Sequence, residues 1–341
     1  MNNVFKGKTV LVTGGTGSIG CEIVRQVLSE GAAIVVSFSR DEIKSFQLKN
    51  NIPDLRFKSI IGDIRDLASL EKEFDRFGFD IIFHCAAMKH LPICEEFPCE
   101  AAKTNILGTE NVINLALKYH VTKMITISTD KAVNPTNVMG ATKQIAERIT
   151  LNANRVSLNN GVFSCVRFGN VANSRGSVIP VFIERLLRGK PLQVSNPEIT
   201  RFIINIKEAT RFVIDASSVA LGGEIFVLKM KAFKLGDLVD VIKSRIIQKL
   251  NIPDSQFRVE TVGIIEGEKL HEQLISDPEL SRMYNWDNMY VVLPNNDVFS
   301  NYTGLSKVAL SSYKSNDVKL LSKVEIERLV MEYLEERCIL L

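Results

Sequence analysis

Short β-branched runs alternate with longer stretches of helical spacing through the first 130 residues. Lys8 to Val12, Ala33 to Phe38, Phe57 to Ile61, Asp80 to His84 and Met124 to Ser128 are too apolar to leave one face wet, which predicts strands buried on both sides. Between them, Ser18 to Glu30, Asp41 to Asn50, Asp66 to Phe77 and a long stretch ending near Tyr119 carry apolar residues at helical intervals. Strict alternation of buried strands with helices predicts an α/β protein built on a doubly wound parallel sheet of the Rossmann type. Right-handed crossovers then place the ligand crevice at the carboxyl ends of the strands.

The pattern continues with a helix from about Met139 to Leu158 and a strand from Val162 to Phe168. Beyond it Pro180, Pro191 and Pro197 interrupt the chain, and Phe202 to Ile206 predicts one further strand. Mixed helix and strand from Lys231 onward end in a helix from Lys323 to Arg337. The expected division is a nucleotide-binding domain over 1–175, with 202–230 returning to it, and a smaller mixed α/β substrate domain built from 176–201 and 231–341.

The 341 residues are 45% hydrophobic and 24% charged, the range of soluble globular proteins. Lys and Arg total 42 against 39 Asp and Glu, so the net charge of +3 creates no broad field for nucleic acid or an anionic membrane surface. No apolar run approaches the roughly 20 residues that span a bilayer, and Met1 to Gly7 lacks the apolar stretch of a signal peptide. A cytoplasmic protein is expected, with neither nucleic acid nor membrane as partner. Cys21, Cys85, Cys94, Cys99, Cys165 and Cys338 contain no CxxC pair, and no histidine pair has ligand spacing. Buried free thiols and no metal are therefore expected. The terminal Cys338-Ile339-Leu340-Leu341 formally fits a prenylation pattern, but without a polybasic stretch it reads as a packed helix end. The triplet Asn301-Tyr302-Thr303 is a glycosylation sequon only in a secreted protein.

Thr13-Gly14-Gly15-Thr16-Gly17-Ser18-Ile19-Gly20 joins the first strand to the first helix. Glycines at 14, 17 and 20 permit a tight turn and let the backbone of Thr16, Ser18 and Ile19 approach a pyrophosphate at the positive helix end. A P-loop is excluded because Cys21 follows Gly20 where Lys would be required. At the tip of the second strand Ser39, Arg40 and Lys44 supply a hydroxyl and two cations suited to a 2′-phosphate, so NADP is favoured over NAD. The competing reading leaves Arg40 solvated and gives the ribose to Asp41. After the third strand Asp63 is positioned to accept from an adenine amino group beside Ile64, unless it merely caps the next helix. Ala86 and Ala87 are small enough for a nicotinamide ribose to lie against the backbone, and Lys89 follows at the rim, either solvated or meeting substrate. Ser128-Thr129-Asp130-Lys131 presents hydroxyl, acid and amine at the end of the fifth strand, at the edge of the crevice where the strand order is expected to reverse. Lys143 comes twelve residues later.

The segments TGGTGSIG, SRDEIK, GDIRD, AAMKH, STDKAVNP, MGATK, VRFGNV, TRF and GEKLHE occur in this order over nearly the whole chain. Together they resemble the extended short-chain dehydrogenase/reductase family. Within it the chain is similar to the UDP-N-acetylglucosamine 4,6-dehydratases that invert C5. That family ordinarily carries a Tyr four residues before the conserved Lys as proton carrier, and here the position is Met139. A thioether carries no proton, and this departure resembles the CapE-like capsular and O-antigen subgroup.

The resemblance implies an internal redox cycle: hydride leaves C4 to NADP, the C4 ketone acidifies C5-H, water is lost across C5 and C6, and hydride returns to C6. It implies that Thr129 holds the sugar hydroxyl, Asp130 is the acid for the C6 hydroxyl, Lys131 is the base at C5 and Lys143 binds the nicotinamide ribose. Asn170 would touch substrate, Val171 the nicotinamide, and Arg201 the diphosphate of UDP-N-acetylglucosamine or a related UDP-sugar. Arg258 and Glu268 are further uridine or diphosphate contacts. Relatives often carry Arg before Gly-Glu-Lys, where this chain has Ile264-Ile265-Glu266-Gly267-Glu268-Lys269, which loosens the clamp assignment. A homo-oligomer, dimer or hexamer, is implied. The alternatives are a UDP-sugar 4-epimerase, which has no need of the Asp130-Lys131 pair, and a nucleotide-binding regulatory protein without catalysis.

Overall fold

A computed structural model describes residues 4–158, 160–294 and 302–337. Cys338 with the rest of the terminal tetrapeptide, and Asn301 of the sequon, lie outside the described residues.

The predicted alternation is present. In order run β1 (Thr9–Thr13), α1 (Ser18–Ser29), β2 (Ile34–Ser39), α2 (Glu42–Asn51), β3 (Phe57–Ile61), α3 (Leu67–Phe77), β4 (Ile81–His84), α4 (Leu91–Glu96), a helical stretch α5 over 98–118 and β5 (Lys123–Thr129). They are followed by α6 (Val138–Val156), β6 (Val162–Phe168), β7 (Asn170–Val171), α7 (Val178–Leu187), β8 (Leu192–Val194), β9 (Thr200–Ile204), α8 (Ile206–Val219), β10 (Ile225–Leu228) and β11 (Lys231–Lys234). Then come α9 over 235–249, β12 (Val259–Thr261), β13 (Gln273–Ile275), α10 (Asp277–Leu280), β14 (Met283–Trp286), β15 (Met289–Val292), β16 (Ser306–Lys307), β17 (Tyr313–Lys314) and α11 (Lys323–Glu336).

The main sheet runs β16-β14-β15-β10-β6-β5-β4-β1-β2-β3, with β10 and every strand on its β6 side parallel. Alternation within single strands explains how helices cover both faces. Val10 and Val12 join Ile23, Val24, Val27 and Phe212 on one side, whereas Leu11 joins Leu70, Phe74 and Val112 on the other. α1 repeats buried residues at Gly20, Ile23, Val24, Val27 and Leu28, the helical spacing seen in the sequence.

Four expectations are corrected. Strand order reverses between β1 and β4, one strand short of β5, so Thr129 to Lys131 stand beside the switch point and not at it. β3 is an edge strand, and Ile61 is exposed because nothing pairs beyond it. The strand expected at Phe202 to Ile206 ends at Ile204, because the Asn205 side chain accepts from Glu208 N at 2.8 Å and starts α8. β14, β15 and β16 join the large sheet instead of the smaller unit, since β15 pairs antiparallel with β10.

The smaller unit carries the β11-β9-β7 sheet and its own core of Phe182, Ile183, Leu238, Ile242, Val330 and Leu334. A buried ion network fastens α6 and α10 to the large sheet at β6. Arg167 on β6 donates to both carboxylate oxygens of Glu147 on α6, at 2.7 Å each, and to both of Glu279, at 2.8 and 2.9 Å. The free thiols are mixed in exposure: Cys94 and Cys165 are buried, Cys21 and Cys85 half-buried, and Cys99 is exposed on the short α5 start, against expectation.

Candidate active site

One cleft of about 870 Å³ opens along the carboxyl ends of β1 to β6. Its floor at one end is the Gly14–Gly20 loop. Gly14 has φ +66, and a Cβ there would come 2.7 Å from Ala86 N, so the loop's close fit against the turn that follows β4 depends on glycine. α1 begins after Gly17 with no side-chain cap, which leaves its first backbone N–H groups free to receive an anion. Thr16, Ser18 and Ile19 line this end.

At the β2 tip Ser39 is buried with its hydroxyl accepting from Thr16 N at 3.2 Å. Arg40 is half exposed and stands 3.6 Å from Asp63. Lys44 pairs with Asp41, whose other oxygen accepts from Lys44 N at 2.9 Å and so caps α2. Asp63 does not cap a helix. Its carboxylate takes the backbone and side chain of Arg65 at 2.9 and 2.8 Å, while Asp66 caps α3 by accepting from Ser69 N. Burial works against the Asp63 charge, but the Arg65 and Arg40 guanidiniums outweigh it and hold the carboxyl below its ordinary range. Ile64, Ala86, Ala87 and Lys89 line the same wall, and Lys89 Nζ donates to Arg175 O at 2.9 Å.

Deeper in, the strand ends meet α6. Gly140 makes this possible, because a Cβ on it would lie 2.2 Å from Lys131 O. The close approach puts Met139 and Lys143, one helical turn apart, into the same cleft as Thr129 and Lys131. Met139 is buried in a small apolar cluster with Cys94 and Ala101, the packing role of a thioether. Lys143 is buried, and among the described residues nothing hydrogen-bonds its Nζ; burial lowers its pKa, partly offset by Cys165, Glu147 and Cys85. His84, held between Thr13 and Thr109 hydroxyls at 2.8 and 2.9 Å, is driven by burial down to about 3 and is neutral. Burial pushes the neighbouring Cys85 thiol up to about 12 and makes it inert.

Asp130 and Lys131 are in contact. Lys131 Nζ donates to Asp130 Oδ1 at 3.0 Å and to Asn170 Oδ1 at 3.3 Å. Thr129 Oγ1 donates to the same Asp130 oxygen at 2.7 Å. Asp130 is fully buried behind the cleft wall, and its Oδ2 has no hydrogen-bond partner among the described residues. Burial opposes the Lys131 charge, yet Asp130 and Glu272 together outweigh it, so the amine is held above its ordinary pKa as an ammonium.

Asn170 and Val171 line the cleft beside Lys131. Arg201 and Glu268 are brought together with each other, at 2.9 Å, and neither lines the cleft. Arg258 is not brought to the cleft: it lies on the outer β12 edge and donates to Gly189 O at 3.1 Å. Two residues escaped the sequence reading. Glu272, the last residue of GEKLHE, is buried 3.7 Å from Lys131 Nζ and 3.8 Å from Arg201 Nε. Arg175 reaches across to Thr16 O at 2.8 Å. Both are legible only as members of quoted or neighbouring segments, since neither has a local pattern of its own.

No helix among the described residues is long and apolar enough to cross a membrane, and no cluster there could hold a metal. The chain is 41% identical over 340 residues to an uncharacterized membrane protein of Methanocaldococcus jannaschii, covering 97% of this chain and 98% of the relative. It is 35% identical over 346 residues to the UDP-glucose 4-epimerase of Rickettsia conorii, covering 98% of each. The structure of Pen from Bacillus thuringiensis superposes with a TM-score of 0.90 at 34% identity, covering 97% of this chain and 98% of Pen. The family described as polysaccharide biosynthesis protein matches residues 10–294, which span the glycine-rich loop, the Thr129–Lys143 cluster and the Arg201–Glu272 corner alike, and this chain belongs to it.

Proposed function

We propose that the protein is an NADP-dependent lyase that removes water across C5 and C6 of UDP-N-acetylglucosamine with inversion at C5, for capsule or O-antigen sugar synthesis. The observation that carries the reading is the Asp130-Lys131 contact at the end of β5, with Thr129 and Lys143 in the same cleft and no tyrosine at position 139. Elimination of water needs one group to give a proton to the leaving hydroxyl and another to take one from carbon, within a single small site. Redox at C4 alone does not.

The cofactor pocket fits an NADP-sized ligand: glycine backbone and an open helix end for the pyrophosphate, Arg40, Ser39 and Lys44 for a 2′-phosphate, and Lys143 for the nicotinamide ribose. Bound there, the nicotinamide supplies the hydride acceptor and donor that the sugar needs. The chain's own residues do the rest. Thr129 orients a sugar hydroxyl, Asp130 receives the proton that Lys131 first gives up and passes it to the C6 hydroxyl, which leaves as water, Lys131 takes the proton from C5, and Asn170 holds the Lys131 amine in place. Arg201 would take the diphosphate after parting from Glu268.

A UDP-sugar 4-epimerase is the second reading, supported by the Rickettsia relative's name. Incubation with UDP-N-acetylglucosamine and mass analysis separates the two. Loss of water supports the dehydratase, an isomer of equal mass supports the epimerase, and no turnover with any UDP-sugar leaves a binding protein.

A further inference from the structure

Three charged residues from distant segments of the chain lie around Lys131. Glu272, in the segment leading into β13, and Arg201, on β9, approach from one side, and Lys269 stands near both with its Nζ donating to Val133 O at 2.7 Å. From the large sheet come Asp130 at 3.0 Å and the Asn170 amide oxygen at 3.3 Å. Glu272 is only 3% exposed, and its Oε2 is buried without a hydrogen-bond partner. Burying a carboxylate with one oxygen left without a hydrogen-bond partner is costly. Its retention 3.7 Å from one cation and 3.8 Å from another marks an electrostatic task and not a packing one.

We propose that Glu272 is a positioning residue for Lys131: its carboxylate, supplied by the segment leading into β13, anchors the Lys131 amine opposite Asp130 and ties it to Arg201. The geometry makes the lysine's state depend on two distant stretches of chain at once. Asp130 directly follows β5, whereas Glu272 reaches Lys131 because β13 packs against the Asp130–Ala132 turn. This rests on the proposed function only for the identity of the proton transfer. The anchoring of Lys131 stands apart from it.

The test titrates Lys131 itself. In the full-length protein, competitive acetylation with acetic anhydride across a pH series, read by mass spectrometry of the peptide containing Lys131, gives the midpoint at which its amine becomes reactive. Glu272→Gln keeps shape and volume but removes the charge, and the midpoint is expected to fall by about one pH unit or more, the effect of losing an opposite charge within 4–6 Å. Glu272→Asp restores the charge one methylene farther back and is expected to recover part of the shift. Turnover of UDP-N-acetylglucosamine should fall through kcat more than through KM in Glu272→Gln, with partial rescue by Asp. An unchanged Lys131 midpoint in both variants overturns the proposal, even if both are slow. Should Glu272→Gln not fold, the Asp variant decides: a lowered midpoint supports the anchor and a parental one sinks it. If no UDP-sugar turns over in the parent, the dehydratase reading fails while the titration still judges Glu272.

Discussion

Lys131 Nζ sits 3.0 Å from Asp130 Oδ1, while the other oxygen of Asp130 is buried with no partner among the described residues. The pair is thus poised with the proton on nitrogen and an empty acceptor position on the acid. Lys131→Ala is expected to lower turnover about 10²–10⁴-fold, the usual cost of removing a positioned acid-base group, and to stop solvent deuterium from entering C5. Met139→Leu exchanges one packing side chain for another of similar volume in the Cys94–Ala101 cluster and should cost less than about tenfold. Equal damage from the two changes would remove Lys131 from the chemistry.

Cofactor choice is testable at the β2 tip. Arg40 is half exposed and, among the described residues, tethered only at 3.6 Å to Asp63, which lets it turn onto a 2′-phosphate. NADP is expected to bind more tightly than NAD, and Arg40→Ala should weaken NADP by about tenfold or more with little change for NAD. Titration of each dinucleotide into parent and variant checks this. Parity between the two dinucleotides in the parent would return the ribose to Asp41.

The fate of a label follows from an internal redox cycle. UDP-N-acetylglucosamine deuterated at C4 should yield product carrying deuterium at C6, with no net cofactor consumed. Label washed into solvent, or kept at C4, contradicts the cycle.

The Arg167 network predicts a stability loss and its pH dependence. Arg167→Met leaves Glu147 and Glu279 buried together and should destabilise by about 3–5 kcal/mol in denaturant unfolding. Burial opposes the Glu279 charge, but Arg167 and the Ser276 backbone and hydroxyl bring its pKa down to about 2. A carboxyl whose folded pKa lies below its ordinary value near 4.5 contributes stability that is fully present above pH 4.5. That contribution drains away as pH falls toward 2. Unfolding curves between pH 6 and 2.5 should show it, and Glu279→Gln should flatten the fall.

Local pattern sufficed for the parallel core, the glycine loop and the residues that follow each strand. Period-two and helical repeats depend only on neighbours along the chain, and a crevice at the carboxyl strand ends follows from handedness alone. Ser39, Arg40, Thr129, Lys131, Met139 and Lys143 therefore arrive in one cleft as their positions after β2 and β5 and on α6 imply. Packing between distant segments decided the remainder. β15 reaches β10 from more than sixty residues away, which moves β14 to β16 into the large sheet, and no local repeat encodes that choice. Glu272 meets Lys131 and Arg201 from three separate stretches of chain, and Arg258 has a basic side chain in a suggestive region yet faces outward. Charge states were decided the same way: whether Lys131 keeps its proton depends on which carboxylates share its buried surroundings, a property of three-dimensional distance that residue order does not carry.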